Sequence, residues 1–302
     1  MLNSKQLKII AVVTMFFDHL ADRCFYGWGI GGIEIPGIGM NLYILVRAIG
    51  RIAFLIYAFE ISEGVRYTHS ALRYAGRLAL LAAVSEIPFD FALHGLRLLP
   101  SQRTAGWTFA GSIDWRYQNV FFTLLLGMLA VWLMKGMRDA IGRLFDSGRG
   151  GQAPGKSGGA RFSLSNRKGK AVFVLLTAGR FAVWAGAVLV LSWTAEYILR
   201  CDYGAGGVAL IAVCGLCNER WEEIFPLYLL PVIRIVICGL GLAALIVINH
   251  NTFERYAAIA LIFIGMYSGK KGYTSKKLQQ AFYWFYPVHL MFIGFLAAAT
   301  GV

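Results

Sequence analysis

Residues 7–26 read L-K-I-I-A-V-V-T-M-F-F-D-H-L-A-D-R-C-F-Y, an apolar run long enough to cross a bilayer with Asp18 and His19 adjacent inside it. His19 lies eleven residues beyond Lys8, about 16 Å along a helix, close to the midplane of a hydrocarbon core about 30 Å thick. A charge at that depth costs at least about 2.5–3.5 kcal/mol, so such residues are expected to have polar partners and a task. Later apolar runs repeat the pattern, which makes one accidental pair a poor explanation.

The whole chain supports a membrane reading. It has 302 residues, 58% hydrophobic and 15% charged, a composition outside the range of ordinary soluble domains. Nine apolar blocks read as spans: 8–26, 43–64, 74–94, 118–136, 171–195, 204–218, 226–249, 255–268 and 278–300. The sixth and eighth are short, so eight to ten spans fit. The expected fold is therefore an all-α, polytopic membrane bundle forming a single domain over 1–302. Within it, the Gly/Ser/basic segment 143–170 reads as a flexible loop.

The net charge of +13 resembles a nucleic-acid signature until it is mapped. With the N-terminus in the cytosol, nineteen lysines and arginines fall on inner segments and seven on outer ones. That bias predicts an inward N-terminus and, with an odd span count, an outward C-terminus. The charge thus follows the two faces of a lipid bilayer rather than a nucleic acid. Asp18 and His19 interrupt any signal-peptide core and no small-x-small site follows, so the first span is expected to be retained. Gly150–Ser157 matches G-x-x-x-x-G-K-S, but no buried strand precedes it, and it reads as a coincidence of composition. Among the five cysteines, Cys214 and Cys217 read as packing residues, and Cys24 and Cys201 both fall on the outer side, where they could pair. No zinc-ligand spacing is present, and no metal is expected.

Depth organises the remaining polar residues. Asp18, His19, Arg51, Glu86, Asp90, Asn119, Thr123 and Asp202 all fall between midplane and outer surface, and His289 reaches the midplane from the last span. Glu86 and Asp90 share one face across Pro88, Asn119 shares a face with Thr123, and Tyr286 and His289 are three apart. These predict a polar cavity in the outer half of the bundle, against the alternative of interhelical ion pairs that only fix packing. Asp22, three residues beyond His19, is the expected same-helix partner to orient it. Histidine with a carboxylate is suited to taking a proton from an alcohol or amine near neutral pH.

The motifs L-K-I-I-A…M-x-x-D-H (7–19), R-I-A-F-x-I-Y-A-F-x-x-x-E-G (51–64) and S-E-I-P-F-D (85–90) recur with three others. These are Q-N-V-x-F-T-L-L-L-G (118–127), D-Y-G-x-x-G-V (202–208) and F-Y-x-F-Y-P-x-H-L (282–290). The ordered set resembles the TraX family over nearly the whole chain except the loop. The resemblance implies an acetyltransferase of the bacterial cytoplasmic (inner) membrane, whose named activity is N-terminal acetylation of conjugative pilin. It implies acetyl-CoA as cytosolic donor and an extracytoplasmic acceptor, a protein N-terminus or a glycan hydroxyl or amine. Carried over, His19 is the central base or transient acetyl carrier and Asp18 supports it. Arg51, Glu63, Glu86, Asp90, Asn119, Asp202, Tyr203 and His289 would line the path; the reading of the spans adds Asp22, Thr123 and Tyr286, and depth makes Asn119, Tyr286 or Arg51 the expected donors to the carbonyl oxygen. With the donor entering from the cytosol, the predicted topology makes Arg66, Arg73, Arg77 or the basic loop the expected holders of its phosphates. Two departures matter: Leu55 stands where proline is common in the family, and the basic loop is an insertion. A proton-coupled transporter and a non-catalytic envelope assembly protein are the competing readings.

Overall fold

The computed structural model describes residues 1–93, 97–100, 107–111, 113–146, 167–219, 221–273 and 275–302. The Gly150–Ser157 match lies outside them. Helix α1 (Ser4–Leu20) starts at a capping box in which the Asn3 side chain accepts from the Gln6 N–H and Gln6 returns a bond to Asn3. It widens into a π-helical turn, Ala21–Phe25, two residues beyond His19. The Gly-rich connection that follows turns through a short hairpin, β1 (Glu34–Ile35) and β2 (Met40–Asn41). Asn41 then caps α2 (Leu42–Gly50), which passes through Arg51 into α3 (Ile52–Tyr67).

Helix α4 (Ala71–Leu93) is continuous through Pro88 and leads to a second hairpin, β3 (Arg97–Pro100) with β4 (Trp107–Ala110). Helix α5 (Val120–Asp146) and helix α6 (Arg167–Trp193) extend into both edges of the expected loop at 143–170. After them come α7 (Gly204–Cys214), α8 (Leu230–Ile248), α9 (Ile259–Gly265) and α10 (Lys276–Ala299).

The centre of the bundle is α3. Its residues from Ile52 to Val65 are buried on every face except at Tyr57 and Gly64, and α1, α5, α7 and α9 pack around it. A helix buried all round, mostly by apolar residues but including Glu60, Ser62 and Glu63, belongs inside a bundle. Peripheral α6 is the opposite case: among its residues only Gly169 and Arg180 are buried, so an apolar solvent must cover the rest.

Five helical segments among the described residues are long and apolar enough to cross a bilayer: Leu42–Tyr67, Val120–Phe145, Arg167–Ile198, Leu227–Ile248 and Lys276–Ala299. The nine-span expectation exceeds that count for identifiable reasons. Helix α1 stops at 17 residues before the π turn. Helix α4 carries Arg73, Arg77, Glu86 and Asp90 along its length. Block 204–218 contains only the 11-residue α7, buried along nearly its whole length and ending in a 3₁₀ turn. Block 255–268 yields the 7-residue α9 after a 3₁₀ stretch.

The expected outer cysteine pair does not form, and all five thiols are free and buried. Cys24 packs on Ile293 and Ala297, whereas Cys201 packs on Leu126, Ala195 and Val208. Cys238 joins Cys214 and Cys217, with Sγ–Sγ distances of 3.6 and 3.8 Å.

Candidate functional site

A cavity of about 590 Å³ runs lengthwise along α1. Ser4, Lys8, Met15, Asp18 and Asp22 line it, at spacings of three, four and seven that keep them on one helical face. Ser4 to Asp22 covers about 27 Å of helical rise. Facing walls come from α3, α4, the first turn of α5, Asp202, Tyr203, Tyr267 and α10. The lining includes surface residues at both extremes, Lys271 and Arg77 at one and Asp22 at the other.

The end near the N-terminus is basic. Lys5, Lys8, Arg77 and Lys271 line it, with Glu60 and Glu63 as the carboxylates. Glu60 is already engaged, accepting from Ser4 Oγ at 2.6 Å and pairing with Lys8 Nζ at 3.3 Å. Glu63 accepts from Tyr267 Oη at 3.0 Å. Arg77 lies over the rings of Tyr74 and Tyr283, and Lys271 lies over Tyr67.

The opposite end is an ion cluster built across α1, α2 and the 3₁₀ stretch 252–258. Asp18 accepts from Arg51 Nη2 with both oxygens, at 3.0 and 2.8 Å, and from Arg47 Nη1 at 2.9 Å. Arg51 Nη1 donates to Glu254 at 3.0 Å, and Arg47 also pairs with Asp22 at 3.5 Å. Gly50 makes this approach possible, because a Cβ there would sit 2.2 Å from Asp18 Oδ1. Tyr203 holds a left-handed backbone (φ 63°) and stacks on Phe54 at 3.6 Å, beneath the Arg51 guanidinium. A left-handed tyrosine is strained, and such strain is tolerated where surrounding packing fixes it.

His19 stands between these ends. Its Nδ1 lies 2.8 Å from His289 Nε2, and its ring also contacts Tyr286 edge-on. The same-helix partner expected for it is engaged elsewhere: Asp22 takes Tyr43 Oη at 3.1 Å and Arg47. Asp18 likewise serves the arginines. The histidine's partner is thus 270 residues away on α10.

Several residues expected along the path lie off the cavity. Glu86 accepts from the Asn119 N–H at 2.9 Å and from Asn119 Nδ2, which also donates to the Ala82 carbonyl. Asp90 accepts from the Asp114 N–H at 2.7 Å, and Thr123 donates to the Asp202 carbonyl. These bonds join α4 to the loop before α5 and α5 to the turn before α7. His289 sits behind His19, 3% exposed. Of the three expected phosphate-holding arginines, Arg77 lines the cavity, Arg66 pairs weakly with Glu63 at 3.8 Å, and Arg73 is exposed away from it. Sequence reading missed Lys5, Lys8, Arg47, Glu60, Tyr74, Lys271 and Tyr283 as lining residues; the helical spacing of Ser4, Lys8, Asp18 and Asp22 was the available signal for the first wall.

The family model described as TraX protein matches residues 3–143 and 165–297. The chain belongs to the TraX family. The break between the two matched parts falls inside the basic segment 143–170, and all six TraX-like motifs lie within matched residues. Segments 7–19, 51–64, 202–208 and 282–290 supply much of the cavity wall, whereas 85–90 supplies only Phe89. No curated protein and no solved structure matches the chain.

Proposed function

We propose that this chain is a membrane-embedded acyltransferase that moves an acetyl group from cytosolic acetyl-CoA to an acceptor outside the bacterial cytoplasmic membrane. The observation that carries this reading is one cavity whose lining runs from a basic end to an ion-paired end, with His19 on its wall. Its volume of about 590 Å³ suits an acyl-pantetheine arm, within the ordinary range of ligand pockets, roughly 300–1,000 Å³. The basic end, placed in the cytosol by the positive-inside bias, offers Lys5, Arg77 and Lys271 to the phosphates of the donor. The acceptor, a protein N-terminus or an envelope glycan, enters beside Asp22 and Arg47.

The chemistry follows from the positions. The acceptor's N–H or O–H proton passes to the His19 imidazole as its nitrogen or oxygen attacks the thioester carbonyl. Charge developing on the carbonyl oxygen is met by donors already on the wall, Arg51 and the Tyr286 and Tyr203 hydroxyls. Asn119 is removed from that role by its bonds to Glu86 and Ala82. The C–S bond then breaks, and the thiolate takes the proton back from His19. Buried ion pairs hold Arg51 in place before substrate arrives, so no reorganisation is needed during reaction. Incubating the purified protein with radiolabelled acetyl-CoA and envelope fractions tests the reading: label is expected in an envelope product, and intact acetyl-CoA with an active fraction present contradicts it.

A lengthwise cavity lined by carboxylates and lysines also suits a proton-coupled transporter. That reading requires substrate flux in proteoliposomes without acetyl-CoA, which the acyltransferase reading does not permit.

A further inference from the structure

His289 makes two hydrogen bonds, and together they fix where the protons are. Its Nδ1 lies 2.8 Å from the Phe285 carbonyl oxygen. A carbonyl can only accept, so Nδ1 of His289 carries the proton. In the neutral ring the other nitrogen, Nε2, is then an acceptor. That nitrogen lies 2.8 Å from His19 Nδ1, so His19 Nδ1 must donate to it. The rings are within 9° of coplanar with centroids 5.1 Å apart, far more than the gap between nitrogens. They therefore meet edge to edge, each nitrogen pointing along the other's ring plane. Phe285 stacks on His289 at 4.7 Å and Phe16 flanks it, fixing that plane. Among the described residues no group bonds to His19 Nε2, and His19 lines the cavity.

We propose that His289 is a positioning residue: the chain Phe285 carbonyl–His289–His19 locks His19 as the Nδ1–H tautomer and leaves the Nε2 lone pair turned to the cavity. It does for His19 what a carboxylate does for a catalytic histidine elsewhere, without placing a negative charge beside the ring. This rests on the acyltransferase reading for its purpose but not for its geometry. When Nε2 takes the acceptor's proton, the Nδ1–H bond to His289 becomes charge-assisted. When the thiolate removes that proton, the neutral pair is restored.

The test is nitrogen NMR on the full-length protein with ¹⁵N-labelled histidine in detergent, His19 being assigned by its loss in His19→Asn. The expected spectrum has a protonated Nδ1 and an unprotonated Nε2 on His19 in the native protein. In His289→Phe the acceptor is gone, and His19 is expected to shift to a mixture of tautomers. His289→Gln, whose side-chain oxygen reaches the same nitrogen, is expected to restore the native pattern. Acetyl transfer is expected to fall about 10²–10⁴-fold in the Phe variant and to recover in part in the Gln variant. A native His19 protonated on Nε2, or a tautomer unmoved in His289→Phe, overturns the relay. The spectrum is read without turnover, so a native Nδ1–H tautomer supports the relay even if acetyl-CoA proves not to be the donor.

Discussion

Two polar clusters occupy the half of the bundle away from the N-terminus, and they differ in what they face. Asp18, Arg47, Arg51 and Glu254 tie α1 to α2 and to the 3₁₀ stretch at 252–258, and the first three line the cavity. Glu86, Asn119, Asp90 and Thr123 tie α4 to α5 and its flanking loops, and none of them lines it. Both clusters are buried, and both use carboxylates at depths where charge is costly. The second ends mostly on backbone groups, which suits holding helices together. The first ends on the Arg47 and Arg51 side chains, which line the cavity. Buried polarity alone therefore does not mark a site; polarity that also borders empty space does.

The comparison sharpens most at Arg51. Replacing it by Met leaves Asp18 and Glu254 buried without their main cation, and loss of one partner of a buried pair costs about 3–5 kcal/mol. Thermal unfolding in detergent is expected to fall accordingly, with acetyl transfer lost in whatever protein remains folded. At Gly50, a valine forces α2 away from Asp18, and overpacking of this kind costs about 1–3 kcal/mol. The same scan reads it, and Gly76, whose Cβ would meet nothing within 4 Å, is expected to accept alanine without loss. In the other cluster, Glu86→Ala orphans two Asn119 donors and costs about 1–3 kcal/mol. Its acetyl transfer per folded molecule is expected to stay at the wild-type level, and a selective loss there would erase the distinction between clusters. The smallest effect belongs to the basic end. Lys271→Ala is expected to raise KM for acetyl-CoA a few-fold with kcat unchanged and to weaken its salt dependence, because an exposed contact to an anion contributes about 0.2–1 kcal/mol.

Much of the architecture was legible in residue order. The apolar blocks at 43–64, 118–136, 171–195, 226–249 and 278–300 each became a helical segment long and apolar enough to cross a bilayer, despite the turn at Arg51 and Pro287 within α10. Block 204–218 gave a short helix for a physical reason, α7 being buried along nearly its whole length, whereas block 255–268 gave the 7-residue α9, which buries only Ala260 and Ile264. Once a segment is packed inside protein, short helices and 3₁₀ turns can be as apolar as a span, so hydropathy does not measure helix length. Asp18, His19, Arg51 and Asp202 were found by depth, Tyr286 by its spacing to His289 and Tyr203 through the TraX resemblance, and all six line the cavity. Glu86, Asp90, Asn119 and Thr123 share that depth and do not, since depth carries no information about facing. His289 was visible as a midplane histidine, but its bond to His19 spans 270 residues, beyond any spacing rule. Lys8 and Arg47 were read only as charges marking membrane sides, because a cation near a helix end serves topology and substrate equally well.

The central claim is that His19 is the base that a thioester and a nucleophile meet inside one cavity. Its most direct measurement compares transfer of label from radiolabelled acetyl-CoA to envelope acceptor by wild-type and His19→Ala proteins matched for unfolding temperature. Loss of transfer by about 10²–10⁴-fold at unchanged stability is expected. Full transfer by the folded alanine variant would contradict the claim.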